Sequence, residues 1–128
     1  MAARRLRVFF DGGCRPNPGM MEVAAVARGV TYLRTDLGQG SSAESEWRAL
    51  LHAVEVAISL GAEDVELVGD SRSVIDQANG VTKCRAPDMR PHLEAYRSAI
   101  AAIPRLRLRH VLRAKNLAGI ALAKRHPR

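Results

Sequence analysis

The stretch Val8-Phe9-Phe10-Asp11-Gly12-Gly13-Cys14-Arg15-Pro16-Asn17-Pro18-Gly19 places a lone carboxylate at the end of a short apolar run. The apolar run, residues 6–10, predicts a β-strand, and the glycines and prolines after Asp11 predict a turn. A carboxylate at the end of a strand that enters a core is costly unless a hydrogen bond, a basic side chain or a metal ion compensates it. Asp11 is therefore the first candidate for a functional residue.

The 128 residues suit one domain, and we expect residues 1–128 to form it. The net charge is +7, and the sequence after Glu94 contains nine Lys and Arg but no Asp or Glu. The first 94 residues therefore carry a formal charge of −2. An acidic-leaning body with a basic end is typical of polyanion-binding proteins, although a solvated surface gives the same pattern.

Three features predict a cytoplasmic protein. No apolar run approaches the ~20 residues that a membrane span needs, so no membrane partner is expected. The basic start is followed by only three apolar residues, which is too few for a signal peptide. Cys14 and Cys84 lack metal-binding spacing and are too few for a disulfide framework, so we expect free thiols in a reducing compartment.

Hydrophobic periodicity predicts the order β-β-β-α-β-α-α-β-α. Strands are expected at residues 6–10, 21–27, 30–37, 64–68 and 106–110. Helices are expected from a capping box at Ser41-Ser42-Ala43-Glu44 to Gly61, and at residues 71–78, 89–103 and 114–124. Three antiparallel strands extended by strands reached through helices predict an α/β fold, a five-stranded mixed sheet with helices on both faces.

Three acids in this arrangement are expected to converge. Asp11 ends the first strand and Asp70 the fourth, while Glu46 lies near the buried face of the first helix. Such acids repel one another unless a divalent cation neutralises them; carboxylates suit Mg²⁺ or Mn²⁺, and paired ions are common in phosphodiester cleavage. Each acid also has a structural alternative: Asp11 as a turn cap, Glu46 as a solvated helix residue and Asp70 as an N-cap.

The sequence resembles the type 1 ribonuclease H family over nearly its whole length. The first motif of that family is similar to Phe9-Phe10-Asp11-Gly12-Gly13-Cys14 with Asn17-Pro18-Gly19, and its helix motif to Glu46-Trp47-Arg48-Ala49-Leu50. Residues 65–80, with Asp70-Ser71 and Gln77, resemble its third motif. Segments 87–93, 110–116 and 122–125 are similar to its compact archaeal and bacterial subgroup. Exonuclease and integrase cores share the fold and the acids, but not the Asp11-to-Gly19 loop.

The resemblance implies a metal-dependent endonuclease that cuts the RNA strand of RNA/DNA hybrids with two Mg²⁺ or Mn²⁺ ions. Asp11 would bridge both ions, while Glu46 and Asp70 would hold one of them. The family's fourth acid is replaced by Ile120, and no later acid substitutes for it. Since that ligand belongs to the ion that activates the attacking water, the second ion is expected to be weakened. The alternative is an impaired or inactive module that binds the hybrid without efficient cleavage.

The resemblance also implies a set of hybrid contacts on a protein expected to be monomeric. Asn17 has a turn-forming alternative, and the charges of Arg113 and Lys115 are also explained as solvated loop residues. His110 is interpreted as a strand residue rather than a general base. The implied contacts are Gly12, Gly13, Cys14, Asn17, Ser42, Arg72, Arg113, Lys115 and Asn116.

Overall fold

The computed structural model describes residues 4–126, which form six strands and four α-helices. The strands are β1 (Leu6–Arg15), β2 (Gly19–Ala27), β3 (Val30–Arg34), β4 (Gln39–Gly40), β5 (Asp64–Gly69) and β6 (Arg105–His110). The helices are α1 (Ser42–Ser59), α2 (Arg72–Ala78), α3 (Arg90–Ile100) and α4 (Leu117–Arg125), with a 3-10 turn at Arg113–Lys115.

The strands form one mixed sheet in the order β3-β2-β1-β5-β6. β1, β2 and β3 pair antiparallel, whereas β1–β5 and β5–β6 are parallel. The predicted five-stranded mixed sheet is therefore confirmed. The short β4, which pairs with β2, is an addition, and two residues without an apolar pattern gave no sequence signal for it.

β1 is longer than predicted. It continues to Arg15, because β2 pairs with it as far as Arg15 opposite Met20. The predicted turn directly after Asp11 is therefore wrong, and the turn lies at residues 16–18. Glycines carry little β-propensity, so the pairing with β2 keeps this segment extended.

Local signals fixed several other boundaries. Arg28 and Gly29 both have positive φ, 52° and 76°, as the predicted tight β2–β3 hairpin requires. Ser41 caps α1, because its hydroxyl accepts a hydrogen bond from the Glu44 amide at 3.1 Å. β3 ends before the predicted residue 37, since Asp36 adopts a φ of 56°. α4 begins at Leu117 rather than 114, because the 3-10 turn precedes it.

Helices cover both faces of the sheet, as predicted. The larger core lies between the sheet and α1 and α3, and it contains Phe10, Trp47 and Tyr96. The smaller core joins α4 to β1 and β2 through Ala24, Val26, Ala118 and Leu122. Within residues 4–126, no helix combines the length and the apolar character of a membrane span.

Candidate metal centre and nucleic-acid interface

The parallel pairing of β1 and β5 positions the two aspartates. This pairing ends where Phe9 lies opposite Val68, and Asp11 and Asp70 each follow two residues later. Because side chains alternate between the faces of a strand, both aspartates belong to the face that α4 covers. β1 is therefore paired with β2 at Asp11 but has no β5 neighbour on its other side.

Glu46 is brought to the aspartates by close packing of α1 against β1. A Cβ atom at Gly12 would overlap the Ser45 carbonyl, so only glycine permits this approach. The Gly12 amide then donates a hydrogen bond of 2.6 Å to Glu46 Oε1. One glycine thus sets the distance between helix and strand and also orients the third carboxylate.

The predicted convergence of the three acids is present in the structure. One carboxylate oxygen from each of Asp11, Glu46 and Asp70 lies within 4.8 Å of the others. Burial, together with the charge of Asp70, raises the pKa of Asp11 to about 7. Burial and the charge of Asp11 raise the pKa of Glu46 to about 8. Oxygen ligands at this separation fit a hard divalent cation, which would offset both the burial and the repulsion.

Asn116 supports this cluster from within the protein. Its Nδ2 donates to the Phe10 carbonyl at 2.9 Å and to Asp70 Oδ2 at 3.0 Å. Its Oδ1 accepts from the Ala118 amide and thereby caps α4. The side chain is fully buried, so the predicted contact of Asn116 with nucleic acid is wrong. Its role is to position Asp70 relative to β1 and α4.

A cleft of about 460 Å³ opens in front of Asp11. α4 forms one wall, where a Cβ at Gly119 would lie 3.4 Å from Asp11 Oδ2. Ile120 follows on the same wall and is 39% exposed, so an aliphatic side chain lines the cleft together with Asp11. Arg113 also lines the cleft, and its positive charge partly opposes the rise in the pKa of Asp11.

Glu22 is an acid of the cleft that the sequence did not suggest. It lies opposite Gly13 in the β1–β2 pairing and lines the cleft. Its two carboxylate oxygens contact Arg125 at 3.2 Å and His126 at 2.6 Å, so it anchors the end of α4. Its position within a β-strand and its distance in sequence from the other acids left no pattern to identify it.

The predicted hybrid contacts divide into two groups. Five of them line the cleft: Gly12, Gly13, Cys14, Ser42 and Arg113. The others, apart from the buried Asn116, lie outside its lining: Asn17, Arg72 and Lys115.

Local contacts explain three of these side chains. Cys14 Sγ contacts the carbonyl oxygens of Pro16, Gly19 and Gly40 at 3.1–3.4 Å. Asn17 accepts a hydrogen bond from the Ser42 amide at 3.0 Å, which joins the turn to the start of α1. Arg72 Nη2 lies 3.1 Å from His110 Nδ1, and this contact is exposed. These three residues therefore also have structural roles.

Known structures share this fold. The RNase H1 crystal structure from the halophilic archaeon Halobacterium salinarum is similar at a TM-score of 0.87 and 31% identity, covering 93% of this chain and 94% of that one. A crystal structure of LC11-RNase H1 in complex with an RNA/DNA hybrid is similar at a TM-score of 0.78 and 25% identity, covering 88% of both chains.

Curated protein sequences are also similar to this chain, over part of their own length. Ribonuclease HI of Halobacterium salinarum is 33% identical in an alignment of 124 residues that covers 93% of this chain and 62% of that protein. A bifunctional protein of Mycobacterium tuberculosis is 30% identical over 112 residues. The chain thus spans less than two thirds of either relative. The model of the reverse transcriptase-like family matches residues 10–126. The chain therefore belongs to the reverse transcriptase-like family and has the fold of the ribonuclease H1 structures.

Proposed function

We propose that this chain hydrolyses the RNA strand of RNA/DNA hybrids at a divalent-metal centre formed by Asp11, Glu46 and Asp70. The observation that carries the proposal is the convergence of three carboxylate oxygens within 4.8 Å, one of which belongs to Asp11 in the lining of an open cleft. Membership of the family and similarity to RNase H1 proteins support the reaction class. The hybrid bound to LC11-RNase H1 supports the substrate class.

Each carboxylate has a distinct setting for this role. Magnesium or manganese, when bound, would polarise the scissile phosphate and lower the pKa of the attacking water. Asp11 is the central ligand in this assignment, because it is the one acid of the three that lines the cleft. Gly12 orients Glu46 through its amide, and Asn116 orients Asp70 through its side-chain nitrogen. These hydrogen bonds fix the ligands before substrate arrives, which reduces the reorganisation that catalysis requires.

Arg113 and the glycine segment provide a surface for the substrate backbone. Gly13, whose missing side chain would point toward Glu22 and Leu122 of the cleft, leaves room for a ribose-phosphate chain beside Gly12. The Arg113 guanidinium, which also lines the cleft, offers charge-assisted hydrogen bonds to phosphate. Asn17, Arg72 and Lys115 are proposed as contacts at the border of the cleft. We expect such backbone contacts to supply affinity and little sequence preference.

A cleavage assay tests this function directly. Purified protein is incubated with a labelled RNA/DNA hybrid, double-stranded RNA or double-stranded DNA of the same sequence, with Mg²⁺, with Mn²⁺ or with EDTA. We expect cleavage of the RNA strand of the hybrid only, and only with a metal ion. Cleavage in EDTA, or equal cleavage of double-stranded DNA, would contradict the proposal.

A second candidate function is binding of the hybrid with little cleavage, and Ile120 favours it. An aliphatic side chain at the mouth of the cleft cannot ligate a cation, which leaves three carboxylates for two expected ions. Ile120→Asp would restore an acid at this position, and Ile120→Asn is the matched uncharged control. The binding module is supported if the wild-type protein does not cleave the hybrid, Ile120→Asp does cleave it, and Ile120→Asn does not. Efficient wild-type cleavage contradicts it.

We propose a monomer in a reducing, cytoplasmic setting. The two cysteines are free thiols, which supports the reducing compartment. Light scattering at micromolar concentration tests the monomer, and a dimer that persists on dilution would contradict it.

A further inference from the structure

A second charged surface lies on the part of the sheet that α4 leaves uncovered. We call it the arginine face and define it by the exposed side of β1, β5 and β6 together with the β2–β3 turn. Side chains alternate between the two faces of a strand, so the charged residues of these strands lie on the face of the sheet that points away from the larger core. Its arginines are Arg4, Arg5, Arg7, Arg28, Arg105, Arg107 and Arg109, and its carboxylates are Asp64 and Glu66.

The two carboxylates of the arginine face hold three of its arginines. Glu66 contacts Arg7 at 2.7 Å and Arg109 at 3.3 Å, and Asp64 contacts Arg5 at 3.4 Å. These pairs explain why basic and acidic residues alternate across the strands. They account for less than half of the arginines.

Four arginines of this face have no carboxylate within 4.0 Å among residues 4–126: Arg4, Arg28, Arg105 and Arg107. Seven arginines and two carboxylates give the face a formal charge of +5. Such an excess concentrates polyanions near the surface. Arg105 and Arg107 are two residues apart on β6, about 6.7 Å, which is comparable to the separation of successive phosphates along an extended single strand.

A hollow of about 350 Å³ lies at one side of the arginine face. Its rim contains four arginines, whereas Phe9 and Val26 provide apolar surface within it. Leu117, at the first turn of α4, also lines it and is 46% exposed. Guanidinium groups around a small apolar surface match a nucleotide, whose base is apolar on its faces and whose phosphate is anionic.

We propose that the arginine face binds single-stranded nucleic acid, with a base in the hollow and the backbone along β6. This site is separate from the cleft at the carboxylate cluster, because the hollow and the cleft share no lining residue. An anionic membrane is the weaker match, since Leu117 is the one strongly exposed apolar residue of the hollow. The inference requires no cleavage, so it stands or falls independently of the ribonuclease assignment.

Binding of a fluorescein-labelled twelve-residue oligothymidylate, measured by anisotropy in EDTA at several salt concentrations, tests the proposal. The test variant combines Arg28→Asn, Arg105→Gln and Arg107→Gln, because asparagine tolerates the positive φ of Arg28. We expect at least about tenfold weaker binding, and a salt slope reduced by about 2, since each lost phosphate contact contributes ~0.7. Unchanged affinity would overturn the proposal.

A matched control separates the arginine face from net charge. Arg34→Gln, Arg85→Gln and Arg97→Gln remove the same charge from exposed positions elsewhere, and we expect affinity to stay within about twofold. An equal loss in the control would mean that only total charge matters. Binding to vesicles containing phosphatidylserine, but not to the oligonucleotide, would also overturn the proposal.

A titration followed by ¹H–¹⁵N NMR locates the site without any substitution. We expect the oligonucleotide to shift the amide signals of Phe9, Gly29, Arg107 and Leu117. Shifts confined to residues 11–15 and 113–116 would place the strand in the acidic cleft and would overturn the proposal.

Discussion

Two groups of carboxylates near β5 have opposite electrostatics. Glu66 lies on β5 between Arg7 and Arg109. Burial alone would raise its pKa, but hydrogen bonds and charges from the two arginines hold the pKa below its ordinary value. Asp70 directly follows the same strand, four residues after Glu66, and lies within 4.8 Å of two other carboxylates, those of Asp11 and Glu46. Arginines thus stabilise the first carboxylate as part of the fold, whereas the second group is the one that we propose to bind a cation.

The largest expected effect comes from removing a carboxylate of the cluster. Asp11→Asn or Asp70→Asn keeps the shape of the side chain but removes a metal-ligating charge. We expect hybrid cleavage to fall about a thousandfold or more, because several kcal/mol of transition-state stabilisation depend on the metal. Glu66→Gln is the matched control on the same face, and its cleavage rate should change by less than about threefold. Wild-type rates in both aspartate variants would remove the proposed site.

The next effect distinguishes a positioning residue from a ligand. Asn116→Ala removes the hydrogen bond to Asp70, the bond to the Phe10 carbonyl and the α4 cap. We expect cleavage to fall about 10–100-fold and unfolding free energy to fall by ~1–3 kcal/mol.

Asn116→Ser tests that assignment by keeping a capping oxygen, although its side chain is too short to contact Asp70. It should recover part of the stability but little of the cleavage rate, and it should need more Mn²⁺ for half-maximal activity. Full activity in Asn116→Ser would show that Asn116 acts only as a cap.

Stability should change in opposite directions in the two groups. In metal-free protein at pH 8.5, Asp11→Asn relieves repulsion among buried charges and is expected to raise unfolding free energy by ~1–3 kcal/mol. Glu66→Gln removes partly screened ion pairs and is expected to lower it by ~1 kcal/mol. Urea unfolding in EDTA measures both. A destabilised Asp11→Asn would indicate that the cluster is compensated from within the protein.

The smallest expected effect is a difference between the two groups of carboxylates in how unfolding free energy depends on pH. The raised pKa values of Asp11 and Glu46, about 7 and about 8, mean that the folded state holds more protons than the unfolded state from about pH 4 to pH 8. Their contribution therefore weakens the fold as pH rises through that window. Glu66 acts in the opposite sense, because its stabilisation is lost as pH falls from the ordinary pKa of a glutamate through its lowered pKa in the folded state. In a double variant with Asp11→Asn and Glu46→Gln, unfolding free energy should fall less steeply as pH rises from about pH 4 to pH 8. An unchanged pH dependence would contradict the assignment of that fall to these two acids.

The sequence was informative where one local signal decided the structure. The Ser41 cap, the Arg28-Gly29 hairpin and the strand alternation predicted the element order and the mixed sheet. The meeting of Asp11 and Asp70 was predicted on the condition that the first and fourth predicted strands are neighbours, and β1 and β5 do pair.

Long-range packing decided what the sequence did not predict. β1 continues past Asp11 only because β2 pairs with it, and Gly12 is required by a helix that is distant in sequence. Asn116 resembled a surface contact, but three internal hydrogen bonds bury it. The sequence shows that β6 carries several arginines. Their position on the same face of the sheet as the arginines of β1 depends on the sheet order, which the sequence does not show.

Calorimetric titration of Mn²⁺ into metal-free protein at pH 6.5 and at pH 8.5 tests the need for an external cation most directly. Ionisation of Asp11 and Glu46 must precede binding, so the affinity should rise at least about tenfold between the two conditions, with proton release at the lower pH. Asp11→Asn should abolish the heat of binding, while Glu66→Gln should retain it. Absence of binding at pH 8.5, or equal binding by Asp11→Asn, would contradict a metal centre at these carboxylates.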